Sequence, residues 1–174
     1  MGAGVRDTEI DATRLGDLRE ACDRLPVNLF LLSAKHDDVR AGTLVMGVQQ
    51  CASEPLLLSV PVRRGHRINP LIRDSRGFGV CSIDPGNRAL RRRFQYRPSA
   101  EEQHDPFDAV AVLSLETGSP ILRASALAFD CEVVRHVDMD ADHELYVGRV
   151  VAARVCGDLP GAQRASEIGP LHVD

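Results

Sequence analysis

The spacing of hydrophobic positions changes character along this chain. Between Ile10 and Pro26, the apolar residues Leu15, Leu18, Cys22 and Leu25 recur at gaps of three, four and three, which places them on one helix face. Thr13 is the candidate N-cap and Pro26 the stop. Beyond Pro26 the helical period vanishes. Val27–Ala34, Ala41–Val48 and Leu56–Val60 are short apolar runs, separated by the polar turn Lys35–Arg40 and by Glu54-Pro55, and they read as strands. Because they are almost continuously apolar where a half-exposed sheet would alternate, both of their faces are predicted to be covered, as in a closed barrel packed on a partner.

Asn69–Asp74 carries a proline near its start and predicts a short helix leading into a strand at Phe78–Ile83. Asp84-Pro85-Gly86 turns the chain. A second short helix opens at Gly86 or Asn87, with Leu90 and Phe94 on one face and Arg88, Arg91, Arg92 and Arg93 mostly on the others. Gln95–Pro106 is polar, contains two prolines, and predicts a long surface loop of the kind that lids a site. Ala109–Leu115, Leu122–His136 and Glu144–Val155 predict three more strands, the last two joined by the acidic turn Asp138–Asp142. About six strands with three short helices favour a mainly β, small antiparallel barrel over a doubly wound sheet.

Composition narrows the class. At 174 residues and 44% hydrophobic content the chain suits one domain with a core that needs no disulfides. The expected division is an N-terminal helical extension over 1–25, a barrel core over 26–155 and a short tail over 156–174. With 21 basic against 25 acidic residues the net charge is -4, which argues against nucleic acid and anionic membrane as partners. Lys35 is the single lysine, so 21 - 1 = 20 of the basic residues are arginine, a bias read as compositional. Five cysteines, an odd number with no C-x-x-C pair, read as reduced and mostly buried. No apolar stretch approaches the roughly 20 residues of a membrane helix, and Met1–Glu9 has no signal-peptide core, so the cytoplasm is the expected compartment.

Several motifs fail on inspection. Asp138, Asp140 and Asp142 begin like a calcium loop, but the positions that require Gly and Glu hold His143 and Arg149. The six histidines show no zinc spacing, so no metal is expected. There is no G-x-S-x-G, P-loop or G-x-G-x-x-G. The cluster Arg88, Arg91, Arg92, Arg93 and Arg97, interleaved with Phe94 and Tyr96, fits a solvated or dimer-facing helix or a clamp for a small cofactor's phosphate better than it fits nucleic acid. Arg63, Arg64, His66 and Arg67 surround Gly65 after a buried strand, where amides and cationic side chains can converge on one phosphate.

With these segments in view, the chain resembles the flavin reductase-like family. AGTLVMGVQQCASEPLLLSV over 41–60 resembles its flavin-binding segment, and RRGHRINPLIRDSRGFGVCSID its basic turn, short helix and following strand. NRALRRRF resembles its short helix ending in Phe, ETGSPIL its G-x-P-x-L, Cys131-Glu132-Val133 its C-x-V, and ADHELYVGRVV its G-D-H-x-x-x-x-G-x-V-V. The pieces run in family order from about Pro26 to Val155.

The resemblance implies an FMN-binding split β-barrel of Greek-key type, as a homodimer with FMN, or FAD, at the interface. It further implies reduction of flavin by NADH or NADPH for a partner monooxygenase. On this basis Thr43, Leu44, Val45, Met46, Gln49, Gln50, Cys51 and Ala52 lie along the flavin, Arg63, His66 and Arg67 near its phosphate end, and His143 faces the nicotinamide. Hydride transfer belongs to the cofactors, so the protein has to hold two planar rings in contact and exclude water. His143 would orient the nicotinamide or relay a proton, or else simply tie down the Asp138–Asp142 turn. The chain departs from the family at Val45, Met46, Gln49, Cys51 and Glu54, where hydroxyls or proline are usual, and a Glu54 carboxylate in the groove would repel a phosphate. These departures motivate two alternatives, a flavin-binding oxidoreductase that keeps its cofactor, and a cofactor-free barrel that binds or cyclises a small metabolite.

Overall fold

A computed structural model describes residues 12–95 and 105–157. The expectations for Ile10, Tyr96, Arg97, most of the predicted 95–106 loop and the tail after Gly157 lie outside these residues. Helix α1 (Ala12–Asp23) begins one residue before Thr13, so Thr13 lies inside the helix instead of capping it. Its stripe of Leu15 and Leu18 is exposed.

Strands β1 (Leu29–His36) and β2 (Val39–Met46) form a hairpin in register from Leu29↔Met46 to His36↔Val39. The predicted six-residue turn therefore narrows to Asp37-Asp38, with Asp37 at φ 51°, a left-handed conformation that Asp tolerates. Next comes β3 (Gln49–Ser53), a strand that the hydrophobic pattern does not announce. It pairs with β4 (Leu56–Arg63) across a turn with a cis Glu54–Pro55 peptide, and its register shifts between Gln50 and Ala52, leaving Cys51 at a bulge.

Helix α2 (Ile68–Ser75) leads into β5 (Gly77–Ser82), and α3 (Arg88–Phe94) opens at Asn87, whose side chain accepts from Leu90 N at 3.1 Å. The strand predicted at Ala109–Leu115 shrinks to β6 (Val112–Leu113), because Val110, Val112, Leu113 and Leu115 feed a core from mostly irregular backbone. The strand predicted from Leu122 is likewise divided. β7 (Ile121–Leu122) pairs with β6, and β8 (Leu127–Asp138) starts after a turn in which Ser125 donates to Ser82 O at 3.0 Å. β9 (His143–Val155) completes the set.

The main sheet has seven strands in the order β2-β1-β5-β8-β9-β4-β3, all antiparallel. It curls until β2 lies against β4, yet no ladder joins those two strands. The expected closed barrel is thus open along one seam. Alternation along β1 sends Phe30, Leu32 and Ala34 into the barrel with Val60, Val62, Phe78, Val80 and Tyr146, and α2 closes one end with Ile68 and Ile72. Leu31 points the other way, into a second core with Cys81, Phe94, Phe107, Ile121 and Leu122. The apolar runs of β1 and β5 are explained by these two cores on opposite faces. Burying each such Leu, Ile or Phe side chain contributes about 1.5–3 kcal/mol.

Gly79 and Gly148 are two of the places where close approach requires glycine. A Cβ on Gly79 would stand 2.6 Å from Ser33 Oγ and 2.7 Å from Ile121 Cδ1, so the segment 117–121 can lie on β5 only over a bare backbone. Buried Asp130 holds that segment by accepting from Thr117 N at 2.7 Å and Thr117 Oγ1 at 2.5 Å. A Cβ on Gly148 would meet the Phe78 ring at 2.5 Å, in the barrel interior.

Candidate functional site

The seam brings two runs of the candidate residues together. The chain leaves β2 at Met46, crosses through Gly47 and Val48, and enters β3. Gly47 has φ +80° and lies over Pro61, its Cβ position 3.5 Å from the ring, so the crossing passes two residues from the Arg63 end of β4. β2 and β3 are the two edges of the sheet, each with one row of backbone N–H and C=O groups that no other strand pairs among the described residues.

Side-chain direction divides the predicted residues. Thr43 and Val45 are buried, Val45 within the barrel core, while Leu44 packs against the second core. Neither Thr43 nor Val45 offers its side chain to the surface of the seam. Met46 is 58% exposed, and Gln49, Gln50 and Cys51 are also exposed, with Ala52 half-buried. Gln50 Nε2 reaches Ser53 Oγ at 3.2 Å, and Ser59 Oγ donates to Gln49 O at 3.4 Å. Glu54 sits exposed at the tip of the β3–β4 hairpin. Seven strand steps separate Leu56 from Arg63, which is about 23 Å at ~3.3 Å per residue and well beyond the ~8–10 Å screening length. Its carboxylate exerts no useful repulsion on an anion held at the basic turn.

That turn follows β4. His66 is 5% exposed; its Nδ1 accepts from Ile68 N at 3.1 Å and so caps α2, whose N-cap residue Arg67 makes no side-chain cap. Burial, and after it the charge of Arg67, pulls the imidazole down from 6.5 to about 4. His66 is therefore a neutral cap at physiological pH and adds no third cation beside Arg63 and Arg67. Asn69, 1% exposed, donates from Nδ2 to Arg63 O at 2.9 Å, and its Oδ1 has no hydrogen-bond partner among the described residues.

The acidic turn between β8 and β9 lies over this basic one. Arg63 stands opposite His143 in the β4–β9 register. Arg64 N donates to Asp142 O at 2.8 Å, Arg64 Nε to Ala141 O at 3.0 Å, and Arg64 Nη2 to the Asp138 carboxylate. The hydrogen bond to Asp138 raises the Arg64 pKa, while the Asp140 amide, and then Arg64, hold Asp138 below the usual carboxylate range. His143 is half-exposed, with Nδ1 3.0 Å from Asp142 Oδ1; that contact is the main cause of the lowered Asp142 pKa, and Arg63 contributes further.

A buried group behind His143 escaped the sequence reading. Glu144 faces the barrel interior, with Oε2 2.7 Å from His136 Nε2 and accepting from Tyr146 OH at 3.2 Å. The His136 and Tyr146 rings stack at 4.6 Å. Strand alternation alone would have put Glu144 and Tyr146 on one face, but a charged residue in a strand invites assignment to the outside. Among the described residues, no three His, Cys, Asp or Glu side chains converge as metal ligands.

The donors present fit a planar, phosphate-bearing ring system. Unpaired edge groups of β2 and β3 match the polar rim of an isoalloxazine, exposed Met46 offers apolar contact to a ring, and Arg63 with Arg67 offers cationic charge. A curled antiparallel sheet that fails to zip along one seam, with α2 across its end, defines a split barrel. A sequence model of the flavin reductase like domain matches residues 22–171, and the chain belongs to that family.

Among curated relatives, a diflavin flavoprotein of Nostoc sp. is 34% identical over 156 residues, covering 87% of this chain and 26% of the relative. This chain thus spans about a quarter of the length of the diflavin flavoproteins it matches. The ferric-chelate reductase (NAD(P)H) of Archaeoglobus fulgidus is 26% identical, with 80% of this chain and 82% of the relative covered. The NADPH-flavin oxidoreductase of Streptomyces viridifaciens is also 26% identical, over 83% and 74% of the two chains. Among solved structures, the NADH:FAD oxidoreductase of Streptomyces globisporus C-1027 superposes with TM-score 0.72 at 18% identity, covering 89% of each chain, which establishes the shared fold.

Proposed function

We propose that this chain is an NAD(P)H-dependent flavin reductase, taking FMN, or FAD, along the seam and passing reduced flavin to a partner monooxygenase. The family match over residues 22–171 carries this reading, since it spans both the seam and the two apposed turns. Relatives named as a ferric-chelate reductase and an NADPH-flavin oxidoreductase support it. Bound flavin would supply the hydride chemistry. The chain's own part is to bind and orient: β2 and β3 edge groups hold the ring, Met46 packs on it, and Arg63 and Arg67 balance its negative end. His143, fixed by Asp142, orients the nicotinamide. With the seam on the surface of one copy, a homodimer that covers it would exclude water. The cofactor-free alternative loses two of its motives, because Val45 is a core residue and Glu54 lies at a distant tip.

The test is a flavin titration by fluorescence quenching with NADH and NADPH oxidation recorded in the same cuvette. Saturable binding at micromolar flavin together with turnover is expected; absence of binding at hundreds of micromolar overturns the reading. His143→Ala is expected to reduce turnover about tenfold or more. Unchanged turnover would remove His143 from the reaction and leave it a tether of its turn.

A further inference from the structure

We infer that His136 and Glu144 form a cross-strand brace that holds the far end of the β8–β9 hairpin, and that through it they are positioning residues for His143 in the nicotinamide step. The second half of this rests on the reductase reading above.

The end of β8 needs a brace because the rest of the sheet leaves it. β5 pairs with β8 from Cys81↔Ala128 as far as Gly77↔Glu132. Val133 is tied next, its N donating to Arg76 O at 2.8 Å and its O accepting from Arg76 Nη2 at 3.0 Å. The β8–β9 register then shifts between Val133 and Arg135, and Arg135, His136, Val137 and Asp138 run on as an exposed stretch with β9 as its strand neighbour. A two-stranded stretch of this length is marginal on its backbone ladder alone and depends on side chains that meet across the strands.

His136 and Glu144 supply that contact. His136 stands opposite Tyr146 in the register, and the two rings lie 4.6 Å apart with planes 13° from parallel. Glu144, two residues from Tyr146 on the same face, brings Oε2 to 2.7 Å from His136 Nε2 and accepts from Tyr146 OH at 3.2 Å. Only 9% of the Glu144 side chain is exposed, so a carboxyl group has been taken out of water to make these two bonds where an apolar side chain would pack without that cost. What the bonds fix is register: a slip of one residue along β8 would turn His136 to the other face and leave Glu144 buried without it.

The same end of the hairpin carries His143. β8 stops at Asp138, the turn runs on through Asp142, and Asp142 Oδ1 lies 3.0 Å from His143 Nδ1. When β8 frays, the carboxylate that orients this imidazole moves with it. Glu144 and His143 are neighbours on β9 and point to opposite faces, so the brace acts from the barrel side on a ring directed away from it.

The first measurement needs no flavin: amide hydrogen exchange of the full chain. Glu144→Met/Tyr146→Phe removes the carboxyl group together with the hydroxyl it would otherwise orphan, and keeps the buried volume. Exchange over 135–142 is expected to be about tenfold faster in this variant, with β1 and β5 unchanged. His136→Gln, which keeps a nitrogen donor for Glu144, is expected to stay within about threefold of the parent. With saturating FMN, the double variant is expected to raise the KM for NADH about fivefold while the FMN dissociation constant stays within about twofold. In a His143→Ala background the same two changes are expected to alter that KM by less than about twofold, because the brace then has no ring to place. Unchanged exchange, an unchanged KM, or an equal rise in both backgrounds overturns the inference and leaves the reductase reading intact. A parent chain that binds no flavin and oxidises no NADH removes that reading and the positioning role with it, and the exchange data then decide the brace alone.

Discussion

Replacing Gly148 by alanine tests the packing of the barrel at a single point. Gly148 lies in the middle of β9, opposite Leu58 of β4 and Val133 of β8. A Cβ there would stand 2.5 Å from Phe78 Cζ and 2.8 Å from Cys131 Cβ, whereas carbon atoms rest at about 3.5–4.0 Å. The Cys131 Cβ is fixed to the β8 backbone, so most of the missing ~1 Å has to come from the Phe78 ring, which is fully buried. Overpacking of this kind costs about 1–3 kcal/mol, more than the ~0.4–1 kcal/mol that alanine gains by restricting the unfolded chain. Taking the middle of both ranges, about 2 less about 0.7, leaves ~1.3 kcal/mol, which at ~2–4 °C per kcal/mol for a chain of this size lowers the melting temperature by about 3–5 °C.

Urea unfolding followed by circular dichroism, at one protein concentration throughout, measures the change. The diagnostic is a double-mutant cycle with Phe78→Leu, which removes the ring atoms nearest the new methyl. In that background Gly148→Ala is expected to cost at least ~1 kcal/mol less than it does alone. Stability within ~0.5 kcal/mol of the parent, or costs that simply add, would refute the argument.

Three further outcomes are expected. Cys22, Cys51 and Cys156 are exposed and should react with a thiol reagent in the native chain, whereas Cys81 and Cys131, whose burial pushes both thiols up to about 12, should react only on unfolding; saturating FMN should slow Cys51 alone. His66 has a folded-state pKa of about 4 against 6.5, so between these values the unfolded chain binds a proton that the folded chain refuses, and stability is lost as pH falls from 6.5 to 4. His66→Asn, which keeps an acceptor for Ile68 N, should flatten that slope in acid-unfolding curves. Tyr146 is pushed up from 10 to about 12, chiefly by burial, so the folded chain keeps a proton that the unfolded chain loses, and stability should decline as pH rises from 10 to 12, a decline absent in Tyr146→Phe.

Much of the fold was legible because its elements obey simple periods. β1, β2 and β4 announce themselves by short apolar runs, and α3 by Asn87 before Leu90 and Phe94. β3 was not legible, since Gln49-Gln50-Cys51-Ala52-Ser53 is an edge strand held through its backbone ladder to β4, and side chains that face water carry no pattern. The Ala109–Leu115 reading failed for the opposite reason: its side chains are in a core, but most of its backbone is not in a sheet. Within the site, residue types located the two turns, but not that one turn closes on the other. That pairing depends on the β4–β9 register, Arg63 against His143, which only the folded sheet defines. Thr43 and Val45 are placed inward by the same parity that gives Ala41 to the core.

The coverage of β1 and β5 on both faces also determines where the chain is free to vary. A change at Leu31 or Leu32 disturbs one core directly and the other through the shared backbone, so these strands form a keel that tolerates little alteration. The β3 edge, the Glu54–Pro55 tip and the outward positions of β9 answer to neither core. Selection for a new acceptor or partner can work on those surfaces while the keel holds the barrel in shape, and a protein so built can diverge widely in what it serves before it diverges in how it folds.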